Sequence, residues 1–114
     1  MIAVIFELEA AEGRFAEYQR LAEALAADLR QIDGFISVER FESISRPGHF
    51  VSLSFWRDEE CLAQWRQLES HRAAQAAGRS TMFRDYRIRI AAVVRDYTLE
   101  ERAQAPEDSR RLHG

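Results

Sequence analysis

The sequence predicts an α+β domain: one antiparallel sheet of four strands, carrying two helices, in the order β-α-β-β-α-β. Three observations carry that prediction. Four segments show the two-residue apolar alternation of strands, two intervening segments show the three-to-four-residue spacing of helices, and turn-forming residues fall between them. At 114 residues the chain fills one core and leaves nothing over for a second.

The first strand is read at residues 2–8, where Ile2, Val4, Phe6 and Leu8 share one face and Ala3, Ile5 and Glu7 the other. After Glu12-Gly13, apolar residues recur at Phe15, Tyr18, Leu21, Leu25, Leu29 and Ile32, one stripe along a helix. Asp33-Gly34 closes it, because glycine takes the left-handed conformation at little cost. Residues 35–41 and 49–56 read as two strands of a hairpin, with Ser45-Arg46-Pro47-Gly48 as the turn. Asp58 supplies an N-cap oxygen, Glu59 and Glu60 favour the positive end of the helix dipole, and Leu62, Trp65 and Leu68 continue an apolar face. That second helix runs through an alanine-rich stretch to a stop at Gly78. From Phe83, the residues Tyr86, Ile88, Ile90, Ala92 and Val94 alternate with Arg87, Arg89, Ala91, Val93 and Arg95 as a long last strand. Residues 98–114, with Pro106 and few large apolar residues, form a tail or arm beyond a domain at 1–97.

This is the split βαβ, or ferredoxin-like, arrangement. It leaves a difficulty, because the first strand is apolar on both sides and two helices cover only one face of a sheet. A second copy packed sheet to sheet resolves it, so a homodimer is expected.

Composition narrows the chemistry. Apolar residues make up 46% and charged residues 31%, the balance of a folding domain. The single cysteine, Cys61, makes no internal disulfide and no metal site alone, so no metal is expected. The net charge of −3 gives the chain no attraction to phosphate backbones, and nucleic acid is excluded as a partner. All 16 basic residues are arginine, so Schiff-base chemistry on lysine is excluded. No apolar run reaches the roughly 20 residues of a membrane crossing, and the opening segment meets Glu7 too early for a signal peptide. The cytoplasm is the expected location.

With this order, the stretches Gly34-Phe35 and Ser54-Phe55-Trp56-Arg57-Asp58, together with Trp65, resemble the antibiotic biosynthesis monooxygenase family of dimeric α+β barrels. The resemblance spans roughly residues 1–97. Residues 71–79, followed by Phe83-Arg84-Asp85-Tyr86, look like a subgroup of it. The resemblance implies a cavity between sheet and helices, in which some members oxidise polyphenols or quinols with molecular oxygen and no bound cofactor. Other members degrade haem, using an asparagine, a tryptophan and a histidine; the corresponding positions here are Glu7, Trp65 and Gln75, so only the tryptophan matches.

Such oxygenation needs a base or hydrogen-bond donors to hold a phenolate or enolate, and an apolar space for oxygen. His71, with an ordinary pKa near ~6.5, is the candidate base. Trp65, Tyr86, Arg79 and Phe83 are the candidate substrate contacts. Each has a plain alternative: Trp65 and Phe83 as packing, Tyr86 as a core residue with a satisfied hydroxyl, Arg79 paired with Asp85 or solvated, His71 bonded to a neighbouring backbone group. The stripe Arg87, Arg89 and Arg95 reads as a solvent face or a charged seam, and Cys61 as a small buried residue. The leading expectation is a monooxygenase acting on a small aromatic, quinol-type molecule. The alternatives are a non-catalytic dimeric barrel that binds a small ligand, and a haem-binding or haem-degrading protein.

Overall fold

A computed structural model describes residues 1–67 and 83–114. Four strands, β1 (Ile2–Ala10), β2 (Phe35–Glu42), β3 (His49–Trp56) and β4 (Phe83–Ala92), form one sheet in the order β2-β3-β1-β4. Every pairing is antiparallel. Helix α1 spans Phe15–Leu29, the described part of α2 covers 61–67, and a short α3 spans Glu107–His113. This is the ferredoxin-like α+β architecture that the apolar patterning predicts.

The register explains which face is buried. Ile2 lies opposite Trp56, Val4 opposite Ser54, Phe6 opposite Ser52 and Leu8 opposite Phe50, so these side chains share the face beneath α1 and α2. Val4, Leu29, Ile32, Trp56, Cys61 and Leu62 make the larger core cluster, with Trp65 packed against it; Leu8 and Tyr18 make a second. On the opposite face Ile5 stands between Leu53 and Arg89, and Ala3 between Phe55 and Ala91. Arg89 donates to Glu7 there at 3.0 Å, which makes one of the three arginines of the stripe an ion-pair member.

Two glycines are required where they stand. Gly34 has φ +91° and Gly48 φ +86°, the left-handed region where a side chain is strained. Just beyond Gly34, the Arg57 N–H donates to its carbonyl at 2.8 Å, tying the exit of β3 to the entry of β2. Asp58 then caps α2: its Oδ1 accepts from the Cys61 backbone N–H at 3.2 Å and from the Cys61 thiol at 3.1 Å.

Several boundaries differ from the periodic reading. The apolar stripe of α1 extends to Ile32, but the helix ends at Leu29. Ile32 still reaches the core through a turn in which its N–H donates to the Leu29 carbonyl at 3.0 Å, so the stripe records burial beyond the helix. The last strand stops at Ala92, short of Val94 and Arg95, because β1, its one neighbour among the described residues, begins at Ile2, the partner of Ala92. The continuation of α2 and its stop at Gly78 lie outside the described residues. The segment 98–114 holds α3, which the sequence pattern did not show because its seven residues contain one large apolar residue, Leu112. Arg102 organises that segment: it donates to the Gly114 and Thr98 carbonyls at 2.8 and 3.3 Å and to Ser109 Oγ at 2.7 Å, and its guanidinium lies 5.1 Å from the centre of the Tyr97 ring. Among the described residues no helix is long and apolar enough to cross a membrane.

Candidate functional site

Between α1 and the sheet lies a cavity of about 560 Å³. Its floor is Val4 and Phe6 of β1 with Phe50, Ser52 and Ser54 of β3; its roof is the inner stripe of α1; Trp65 of α2 and Phe83 at the start of β4 also line it. The sequence leaves this space open because Ala22 and Ala26 on α1 and Ser52 and Ser54 on β3 put small side chains on the facing surfaces. Larger residues at those positions would fill it to ordinary interior density.

The wall is aromatic. Phe15 stacks on Phe50 with centroids 4.8 Å apart and planes at 12°, Tyr18 meets Phe83 edge-on at 5.9 Å, and Phe83 meets Phe6 edge-on at 5.8 Å. Polar residues share the lining: Gln19 and Arg30 from the helix side, Glu39, Arg40 and Glu42 from β2, and Ser52 and Ser54 from β3. Ser54 Oγ is buried and accepts the Trp56 indole N–H at 2.9 Å. Tyr18 is 6% exposed, and burial pushes its phenol above the ordinary value; the charge and hydrogen bond of Arg40 pull the other way and offset only part of it. Among the described residues no three His, Cys, Asp or Glu side chains gather as a metal-ligand set.

The residues singled out from the sequence fall in three places. Trp65 and Phe83 line the cavity. Tyr86 does not: it is 61% exposed, and its ring packs on Phe6 at 5.8 Å and on Phe83 at 6.1 Å. It lies on the edge strand β4 in the row of Leu8 and Phe50, and it borders a shallow polar depression with Glu9, His49 and Asp85. His71 and Arg79 lie outside the described residues. Glu7, at the position of the haem-degrading branch's asparagine, is on the sheet face away from the cavity, paired with Arg89, and Phe6 faces inward. Sequence reasoning overlooked Tyr18 and Arg40. A signal existed for each: Tyr18 is the one polar-tipped member of the α1 stripe, and Arg40 is in phase with Val38 on the strand face that turns to the helices.

Comparison with known proteins agrees with this geometry. Residues 1–77 match the family model described as antibiotic biosynthesis monooxygenase. The chain is 45% identical over 93 residues to a jasmonate monooxygenase of Pyricularia oryzae, covering 82% of this chain; it spans 43% of that protein's length. It is 29% identical over 99 residues to YqjZ of Bacillus subtilis, covering 87% of this chain and 84% of that protein. Among solved structures, a protein from Deinococcus radiodurans superposes with a TM-score of 0.72 at 22% identity, covering 86% of this chain and 97% of that one. Rv0793 from Mycobacterium tuberculosis gives 0.71 at 20% identity, with 85% and 98% covered. With the matched domain, a relative that shares nearly half of its aligned residues and a common fold, the chain belongs to the antibiotic biosynthesis monooxygenase family.

Proposed function

We propose that this protein is a monooxygenase that oxidises a small, cyclic, largely apolar molecule held in the cavity between α1 and the sheet, with molecular oxygen as oxidant and no bound cofactor. The observation that carries this reading is the cavity itself. Its volume suits a small-molecule ligand, and its wall of Phe15, Tyr18, Phe50 and Phe83 suits a flat or ring-shaped one, including the quinol-type molecules expected from the sequence. The substrate must form an enolate or phenolate able to give electrons to oxygen. Conversion of an activated CH₂ to C=O balances directly: one oxygen atom enters the product and the other leaves as water with the two hydrogens.

Within this proposal His71 is the base that takes the first proton, Arg79 orients the developing anion, and Trp65 and Phe83 contact the ring. Tyr86 is left out, being outside the cavity. The test is oxygen uptake with quinols and with jasmonate, the compound in the name of the Pyricularia relative. The substitution Ala22→Trp fills the cavity and is expected to abolish uptake while the circular dichroism of the fold persists. His71→Ala is expected to lower kcat by about 10²–10⁴-fold. Uptake indifferent to Ala22→Trp would remove the cavity as the site; tight binding with no uptake from any substrate would instead support a ligand-binding protein.

We infer also that two copies pair through the sheet face opposite the helices. Ile5, Val51, Leu53 and Phe55 supply the apolar centre of that face, and Phe41, 45% exposed, continues it on β2.

A further inference from the structure

We infer that Tyr18 and Arg40 form an anion anchor at the β2 side of the cavity, so that the preferred ligand is an apolar ring body bearing a carboxylate. This deepens the proposed function and rests on the cavity being the ligand site.

The two residues approach the cavity from different layers, Tyr18 from the second turn of α1 and Arg40 from β2. Arg40 lies opposite Ser52, and Ser52 opposite Phe6, so one row across the inner face reads cation, hydroxyl, aromatic ring. The charges around this row are unevenly placed. Glu42 shares the inner face of β2, but its Oε2 accepts the Gly48 N–H at 3.2 Å at the hairpin turn. Glu39 also lines the cavity, although its register opposite Leu53 assigns its side chain to the other face of the sheet. Arg30 lines the far end of the cavity, beyond the last turn of α1. The cation that β2 brings to the cavity lining, beside the carboxylates of Glu39 and Glu42, is the Arg40 guanidinium.

Tyr18 completes the anchor. It is buried, and its phenol remains protonated at neutral pH, so beside a guanidinium it acts as a donor. With the phenol oxygen accepting from Arg40, the phenol O–H and the remaining guanidinium N–H groups are left as donors, and a carboxylate is the group that accepts from both. A neutral ester can accept singly and gains no charge assistance. The rest of the cavity, walled by Phe15, Phe50 and Phe83, then receives the ring body and sets its distance from the anchored end.

The experiment is equilibrium binding in the absence of turnover, followed by calorimetry and by the fluorescence of Trp65 at the cavity wall. Matched probes are jasmonate against methyl jasmonate, and 1-naphthoate against methyl 1-naphthoate, at neutral pH. Each acid is expected to bind at least tenfold more tightly than its ester, and added salt is expected to weaken the acids alone. Arg40→Gln is expected to bring each acid-to-ester ratio to within about twofold by weakening the acid only; Arg40→Lys is expected to restore part of the ratio, and Tyr18→Phe to reduce it several-fold. A wild-type ratio near one, or a ratio that survives Arg40→Gln, would overturn the anchor. If no probe of either kind binds, the cavity fails as the ligand site and the anchor falls with it. If the acid preference holds while oxygen uptake is absent from every substrate, the anchor stands and the oxygenase reading fails.

Discussion

The indole N–H of Trp56 donates to the Ser54 hydroxyl 2.9 Å away, two residues earlier on the same strand and both turned to the buried face. Trp56 has no exposed surface, so this bond is the one outlet for its only polar atom. Ser54→Ala leaves that donor unpaired in the core and is expected to destabilise the fold by about 1–3 kcal/mol. Ser52→Ala, on the same face of the strand, is expected to change stability by less than about 0.5 kcal/mol. Urea unfolding of the two variants checks the difference, and equal midpoints would show that the indole bond contributes nothing.

Gly34 is constrained twice. Its φ of +91° disfavours a side chain, and a Cβ there would run into the Cys61 sulfur and approach the Arg57 guanidinium carbon at 3.3 Å. Gly34→Ala is expected to cost about 1–3 kcal/mol from the backbone conformation alone, with the steric clash in addition. Combining it with Cys61→Ala relieves the clash and not the backbone strain, so the double variant is expected to recover part of the loss. A denaturation double-mutant cycle reads that coupling; strict additivity would place the whole effect in the backbone.

The carboxyl of Asp58 is held below its ordinary value of 3.8, first by the hydrogen bond from the Cys61 thiol and then by that from Arg57. A carboxyl lowered in the folded state stabilises the fold above its unfolded pKa and loses that contribution as pH falls through the folded one. Wild type is therefore expected to lose stability more steeply than Asp58→Asn between about pH 5 and pH 2. Cys61→Ala removes the largest cause and is expected to raise the Asp58 pKa toward 3.8, read by carbon NMR of the carboxyl.

Pairing of copies through the open sheet face makes a separate prediction at Leu53, which stands opposite both Ile5 and Glu39. Leu53→Asp places a charge in the centre of that face and is expected to yield a folded monomer by sedimentation at micromolar concentration, where wild type sediments as a dimer. A wild-type monomer under the same conditions would remove the proposed interface.

Much of this architecture was legible because burial writes itself into spacing. The alternation at Ile2, Val4, Phe6 and Leu8 located the inner face of β1, the stripe from Phe15 to Leu29 located α1, and Asp58 announced the start of α2. The cavity was less legible. A void comes from what several distant residues fail to fill, here Ala22, Ala26, Ser52 and Ser54, and no local pattern records that sum. Tyr86 misled for a related reason: alternation states which face a residue takes and not where its strand lies across the sheet, and Tyr86, though level with Leu8 and Phe50, is 61% exposed on the edge strand β4 and outside the cavity. Tyr18 escaped notice because a tyrosine within an apolar stripe reads as packing until a cation is found across from its hydroxyl.

Strand β1, which precedes the other three strands in sequence, lies in the middle of the sheet, with β3 on one side and β4 on the other. A nascent chain therefore waits with one long edge of β1 bare until Phe83–Ala92 has been synthesised. The slow event in folding is expected to be this closure between β1 and β4, since loop entropy is spent before the ladder rewards it. Shortened chains that lack β4 are accordingly expected to be the aggregation-prone species in the life of this protein.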